Sequence, residues 1–164
     1  MPMSPPHADR LAALRARLLA DGLDGFVVPL TDEHLSEYVG DYAQRLGWLT
    51  GFAGSAGSAA VLADRAAIFV DGRYTLQVRE QVDGAHWEHV GVPVDSVAAW
   101  LGRHAPAGAR IGYDPWLHTR GQVDQMATAL AVAGAMPVAV DANPVDAIWA
   151  DRPARSDAPL AVQD

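Results

Sequence analysis

The chain has 164 residues, half of them apolar and a fifth charged. Its twelve basic side chains are all arginine, against twenty acidic ones, for a formal net charge of −8, and it has no cysteine. That is one domain's length with enough apolar residues for a core, which excludes a disordered chain, a disulfide scaffold and a thiolate metal site, and the acidic balance argues against nucleic acid and anionic membrane as partners.

The first residues, Met1-Pro2-Met3-Ser4-Pro5-Pro6, have neither a basic nor an apolar signal region, and no apolar run reaches the ~18 residues of a membrane span, so the expected location is the cytoplasm. Leu11, Leu14, Leu18 and Leu19 fall at helical spacing, with Ser4-Pro5 to open the helix and Gly22 to close it. Residues 25–30 read as a short buried strand, 31–40 as a polar turn, and 41–50 as a helix that buries Leu46 and Leu49. Residues 51–57, GFAGSAG, carry too much glycine for either element and read as a loop packed against a neighbouring surface.

Residues 58–63 and 66–71 are two apolar runs split by Asp64-Arg65, which predicts a hairpin. Asp71 can cap a following helix that buries Tyr74, Val78 and Val82. Then come a strand over 86–91, a helix over 95–104 with Val97, Trp100 and Leu101 inward, and a strand over 110–114. A helix over 119–133, with Val123, Met126, Ala127 and Leu130 on one face, ends at Gly134 and is followed by a strand over 136–140 and a helical turn over 145–149. Strands alternating with helices, plus one hairpin, predict an α/β domain with a mixed sheet flanked by helices. Leu14, Val27, Val28, Phe69, Val70, Trp100, Ile111 and Val138 form the expected core. The domain is assigned residues 1–150, and 151–164, rich in Pro, Asp and Ala, are a linker or tail expected to be mobile over 155–164.

Three clusters invite a chemical reading. In His86-Trp87-Glu88-His89 a strand puts only His86 and Glu88 on one face, too few for a closed metal site. Asp32-Glu33-His34 with Glu37 reads as acids at a short helix start. Ser55, in AGSAG, lacks the strand-then-helix context of a nucleophile elbow, because a helix precedes it and a strand follows. No catalytic residue and no metal ligand is assigned.

Asp71-Gly72-Arg73-Tyr74 is different, because it sits where a strand ends and a helix begins, and ligands of open α/β sheets gather there. Asp71 would cap the helix, Gly72 would permit the turn and Tyr74 would turn inward. Arg73 would then project a fork of donors toward a peptide carbonyl or carboxylate. The competing reading of Arg73 is an internal salt bridge to Asp32 or Glu33.

Four segments in series carry a family likeness. Residues 31–38 (TDEHLSEY), 47–60 (GWLTGFAGSAGSAA), 69–74 (FVDGRY) and 145–153 (VDAIWADRP) resemble, in order, segments of the N-terminal domain of aminopeptidase P, the Xaa-Pro aminopeptidases. The last segment favours that group, especially its long three-domain branch, over prolidase or creatinase. The resemblance implies the creatinase/prolidase N-terminal domain fold, with a ribonuclease-H-like mixed sheet. It also implies a parent metallopeptidase that removes an N-terminal residue preceding proline, with a two-metal site, usually manganese, in a C-terminal catalytic domain. No segment here matches that catalytic domain, so no cofactor is assigned to this chain.

The resemblance places Arg73 and Tyr74 near the mouth of the substrate cleft, sometimes that of a second subunit. It makes the parent's catalytic domain and, through it, proline-containing peptides the partners. Two other classes stay open on the residues alone: an enzyme using one of the clusters above, and a stand-alone peptide- or protein-binding module.

Overall fold

In the computed structural model, which describes residues 6–159, the apolar runs form the centre of a six-stranded sheet. The strands are β1 (Gly25–Pro29), β2 (Ser58–Leu62), β3 (Ala66–Asp71), β4 (Glu88–Val92), β5 (Arg110–Tyr113) and β6 (Met136–Ala139), in the order β4-β3-β2-β1-β5-β6. Strand β2 is antiparallel to both neighbours, with Val28 opposite Ala59 and Ala59 opposite Ile68, and the other pairs are parallel. The predicted hairpin is therefore present, its turn closed by Leu62 N–H donating to the Arg65 carbonyl at 2.8 Å. This topology brings the ends of β1, β3, β4, β5 and β6 and the start of β2 to one edge of the sheet.

Six α-helices are described: α1 (His7–Ala20), α2 (Arg45–Thr50), α3 (Thr75–Gln81), α4 (Val97–His104), α5 (Arg120–Ala131) and α6 (Pro144–Ile148). Side chains alternate across a strand, so Phe26, Val28, Val61 and Ile68 meet Leu11, Leu14, Leu46, Leu49, Val78 and Val145 on one face. Val27, Ala60, Ala67 and Phe69 meet Trp100, Leu101, Met126 and Leu130 on the other. Sheet between helix layers is the predicted mixed α/β architecture.

Seven of the eight core residues named from the sequence are buried. Val138 is only partly buried, because β6 is an edge strand.

Other departures have local causes. Leu19 is exposed: a fourth leucine at i+8 widens the stripe beyond what the sheet covers. The expected helix over 41–50 splits at Gln44 into a 3-10 turn, Asp41–Ala43, and α2. The Gln44 N–H closes the turn onto Asp41, while its side-chain amide donates back to the Val39 carbonyl. His86 lies before β4, and Asp95 lies before α4, which Ser96 caps through the Ala99 N–H. Ala127 is only partly buried on α5. Tyr74 sits, partly buried, in a 3-10 turn (Gly72–Tyr74) that precedes α3. Ser4 and Pro5, expected to open α1, lie outside the described residues, as does 160–164 of the tail. Within the described tail, Arg152 donates to the Tyr42 carbonyl at 2.8 Å and pairs with Asp146, and Arg155 pairs with Glu33 at 2.7 Å.

Candidate functional site

Strand β3 ends at Asp71, whose backbone is extended and whose side chain turns back on the next residues. Its Oδ1 accepts the Arg73 backbone N–H at 2.9 Å and the Arg73 Nε at 3.0 Å, and its Oδ2 accepts Nη2 at 2.8 Å. One carboxylate thus caps the turn and grips the guanidinium. The side-chain bond from Arg73 holds the Asp71 carboxyl below the usual carboxylate range, and the same bond raises Arg73, so both stay charged. Arg73 is 68% exposed in its side chain. The internal partner expected as an alternative, Asp32 or Glu33, is not the one found: the Asp71 carboxylate, two residues away, takes the Nε and Nη2 donors. Glu37 adds a weaker electrostatic pull, which sets the 31–40 loop beside this junction.

Tyr74 fixes the other side. Its ring meets Phe52 edge-on at 5.5 Å, the Arg73 guanidinium lies 5.1 Å from its ring centre, and its hydroxyl is 2.6 Å from Ser55 Oγ. The Ser55 hydroxyl and N–H together hold the phenol below its ordinary value. Ser55 therefore serves Tyr74, and its hydroxyl meets a phenol where a nucleophile would meet a base. The glycine loop permits this approach: Gly51 closes α2 at φ +84°, and a Cβ at Gly54 would stand 2.9 Å from the Tyr74 ring. The junction and the loop thus present one cation on a rigid base. Asp71 occupies Nε and Nη2, and Nη1 makes no hydrogen bond among the described residues.

The remaining clusters have structural partners. Asp32 is buried and accepts the N–H groups of His34 and Ser36. It does the work of a helix cap, but no helix follows. Glu33 accepts the Tyr42 hydroxyl at 3.1 and 3.2 Å. Glu88 accepts the Trp100 indole N–H at 2.8 Å, His89 Nε2 lies 3.0 Å from the Val82 carbonyl, and His86 stands 4.0 Å from Asp83. Among the described residues no three His, Asp or Glu side chains converge to hold a metal ion, so a two-metal centre does not fit these residues.

One residue escaped the sequence reading. His118 lines a cavity of about 240 Å³ with Val27, Pro29, Val92, Ser96 and Met126, at the same sheet edge but on the α4–α5 face. Its Nδ1 is 2.9 Å from the Asp114 carbonyl, and its buried Nε2 has no hydrogen-bond partner among the described residues. Its place just before the Thr119 cap of α5 was the available signal.

Comparison with known proteins bears on the family and the fold. A family model described as the creatinase/prolidase N-terminal domain matches residues 10–148. The chain is 39% identical over 153 residues to Xaa-Pro aminopeptidase 2 of Sus scrofa, covering 92% of this chain and 23% of the relative. The solved X-prolyl aminopeptidase of Caenorhabditis elegans, described as a cytosolic enzyme with a di-nuclear active site, superposes with a TM-score of 0.89 at 34% identity, over 98% of this chain and 28% of that one. The isolated N-terminal domain of the cytoplasmic peptidase PepQ from Mycobacterium tuberculosis superposes at 0.65 and 26% identity, over 85% of this chain and 97% of that one. The chain thus spans about a quarter of the length of these curated relatives.

Proposed function

The chain belongs to the creatinase/prolidase N-terminal domain family, and we propose that it serves as the non-catalytic N-terminal domain of an Xaa-Pro aminopeptidase. The parent enzyme removes the N-terminal residue of a peptide whose second residue is proline. Its two metal ions, manganese by the family resemblance, sit in a catalytic domain reached through the linker formed by residues 151–164. This domain shapes the substrate cleft and its subunit contacts, in the cytosol as described for the C. elegans enzyme.

The observation that carries the reading is the Asp71–Arg73–Tyr74 junction. A permanently charged fork stands at the sheet edge where α/β domains meet ligands, and it is held there by its own cap and by a tyrosine locked to the glycine loop. Such a group suits a peptide carbonyl or carboxylate.

In the full-length parent, Arg73→Ala raises KM for an Xaa-Pro peptide roughly tenfold, the scale of one charge-assisted hydrogen bond. The melting temperature stays within about 2 °C, because the side chain is exposed. Unchanged kinetics with a lowered melting temperature would make Arg73 structural and remove the site.

A further inference from the structure

Arg73 is not an isolated cation. The Asp71 carboxylate lies against its Nε and Nη2 at 3.0 and 2.8 Å, so the pair carries no net charge. Glu37, exposed on the loop after β1, pulls on the same guanidinium. On that loop Asp32 is kept ionised by the N–H groups of His34 and Ser36, and Glu33 is balanced by Arg155 at 2.7 Å. The acids around Arg73 therefore outnumber the bases.

What Arg73 keeps for a ligand is a hydrogen bond more than a charge. Its Nη1 donates to nothing among the described residues, and the Tyr74 ring, with its centre 5.1 Å from the guanidinium, supports the group from one side. A carboxylate arriving at Nη1 would gain that bond but meet Asp71 and Glu37 as like charges. A neutral carbonyl gains the same charge-assisted bond without the repulsion.

We infer that Arg73 selects an uncharged backbone carbonyl of the peptide and not its terminal carboxylate, an inference that rests on the substrate role of Arg73 proposed above. That role admits either acceptor, and the charge balance separates them. The domain then reads a peptide through its backbone, and Asp71 is a specificity-determining residue as well as a cap. It holds the fork in place and cancels the charge that would otherwise favour a chain end.

Matched tripeptides with an Xaa-Pro start, one a free acid and one amidated, test this with the full-length parent at low ionic strength, where charge effects are least screened. Wild-type KM values agree within about twofold, and Arg73→Ala raises both about tenfold. Asp71→Asn keeps a side-chain acceptor for the Arg73 N–H but removes the balancing charge. It lowers KM for the free acid relative to the amide by about threefold, the scale of one screened charge pair. A wild-type KM that rises about tenfold on amidation, with the difference erased by Arg73→Ala, overturns the inference in favour of the carboxylate and leaves the substrate role of Arg73 standing. A free-acid to amide ratio that is the same in Asp71→Asn and wild type overturns it as well, because the balancing charge then decides nothing. Arg73→Ala kinetics unchanged for both peptides defeat the substrate role itself, and the inference with it.

Discussion

His118 shows how a single side chain can set a pH dependence. Burial lowers its pKa, outweighing the Asp114 carbonyl, which favours the protonated ring. Below its ordinary value of about 6.5 the unfolded chain takes up a proton that the folded chain resists. Stability therefore falls as pH drops from about 7 toward the folded pKa and levels off beneath it. His7, also lowered by burial, acts in the same direction, so the comparison must be differential. Thermal melts between pH 8 and pH 5 should show a shallower loss for His118→Gln than for the parent chain, and parallel profiles would remove His118 as the source. At this scale the sequence was informative where a residue acts on its neighbours. Asp71 capping and Arg73 projecting were legible because both lie within the same turn, whereas Gly72 has neither a left-handed backbone nor a crowded Cβ position, so the turn does not depend on it. The partner of Tyr74 was not, because Ser55 is 19 residues away and arrives through the β2–β3 hairpin.

Elements were legible where a period or a cap is local, and misread where packing decides. Helix α5 carries a full capping box between Thr119 and Gln122, and its start is found within a residue of the expected place. The clamp between α2 and α6 left no local trace. Arg45, buried, grips Asp146 through two bonds of 2.6 and 2.9 Å across 101 residues, and Trp48 stacks on Trp149 at 5.4 Å. Arg45 Nη1 has no hydrogen-bond partner among the described residues, so the pair is already incompletely satisfied. Removing its acid by Asp146→Ala strands a buried guanidinium and should cost about 3 kcal/mol in urea unfolding. Adding Arg45→Leu should recover part of that loss. A double variant as unstable as the sum of the two singles would show that the pair is not coupled. The clamp accounts for the VDAIWADRP segment in physical terms: Asp146, Trp149 and Arg152 fasten the end of the domain onto the region around α2.

At the scale of the whole molecule, five parallel strand ends gather Arg73, His118 and the glycine loop at one edge, with no convergent set of metal ligands among the described residues. Hydrolysis through two metal ions needs carboxylates and imidazoles around both. The purified 164-residue chain should therefore leave Xaa-Pro peptides uncleaved with or without added manganese. Manganese-dependent turnover that persists through repurification would overturn the non-catalytic reading.

By itself the sequence determined the order and type of the elements, the hairpin, most of the core and the family likeness. These rest on period, caps and turn residues acting over a few positions. Tertiary structure decided that Val138 sits half-exposed on an edge and Leu19 in solvent, that Arg45 finds Asp146, and that Tyr74 finds Ser55. Each of these depends on which strands lie side by side, and strand adjacency is set by burial across the whole sheet rather than by any local stretch of chain.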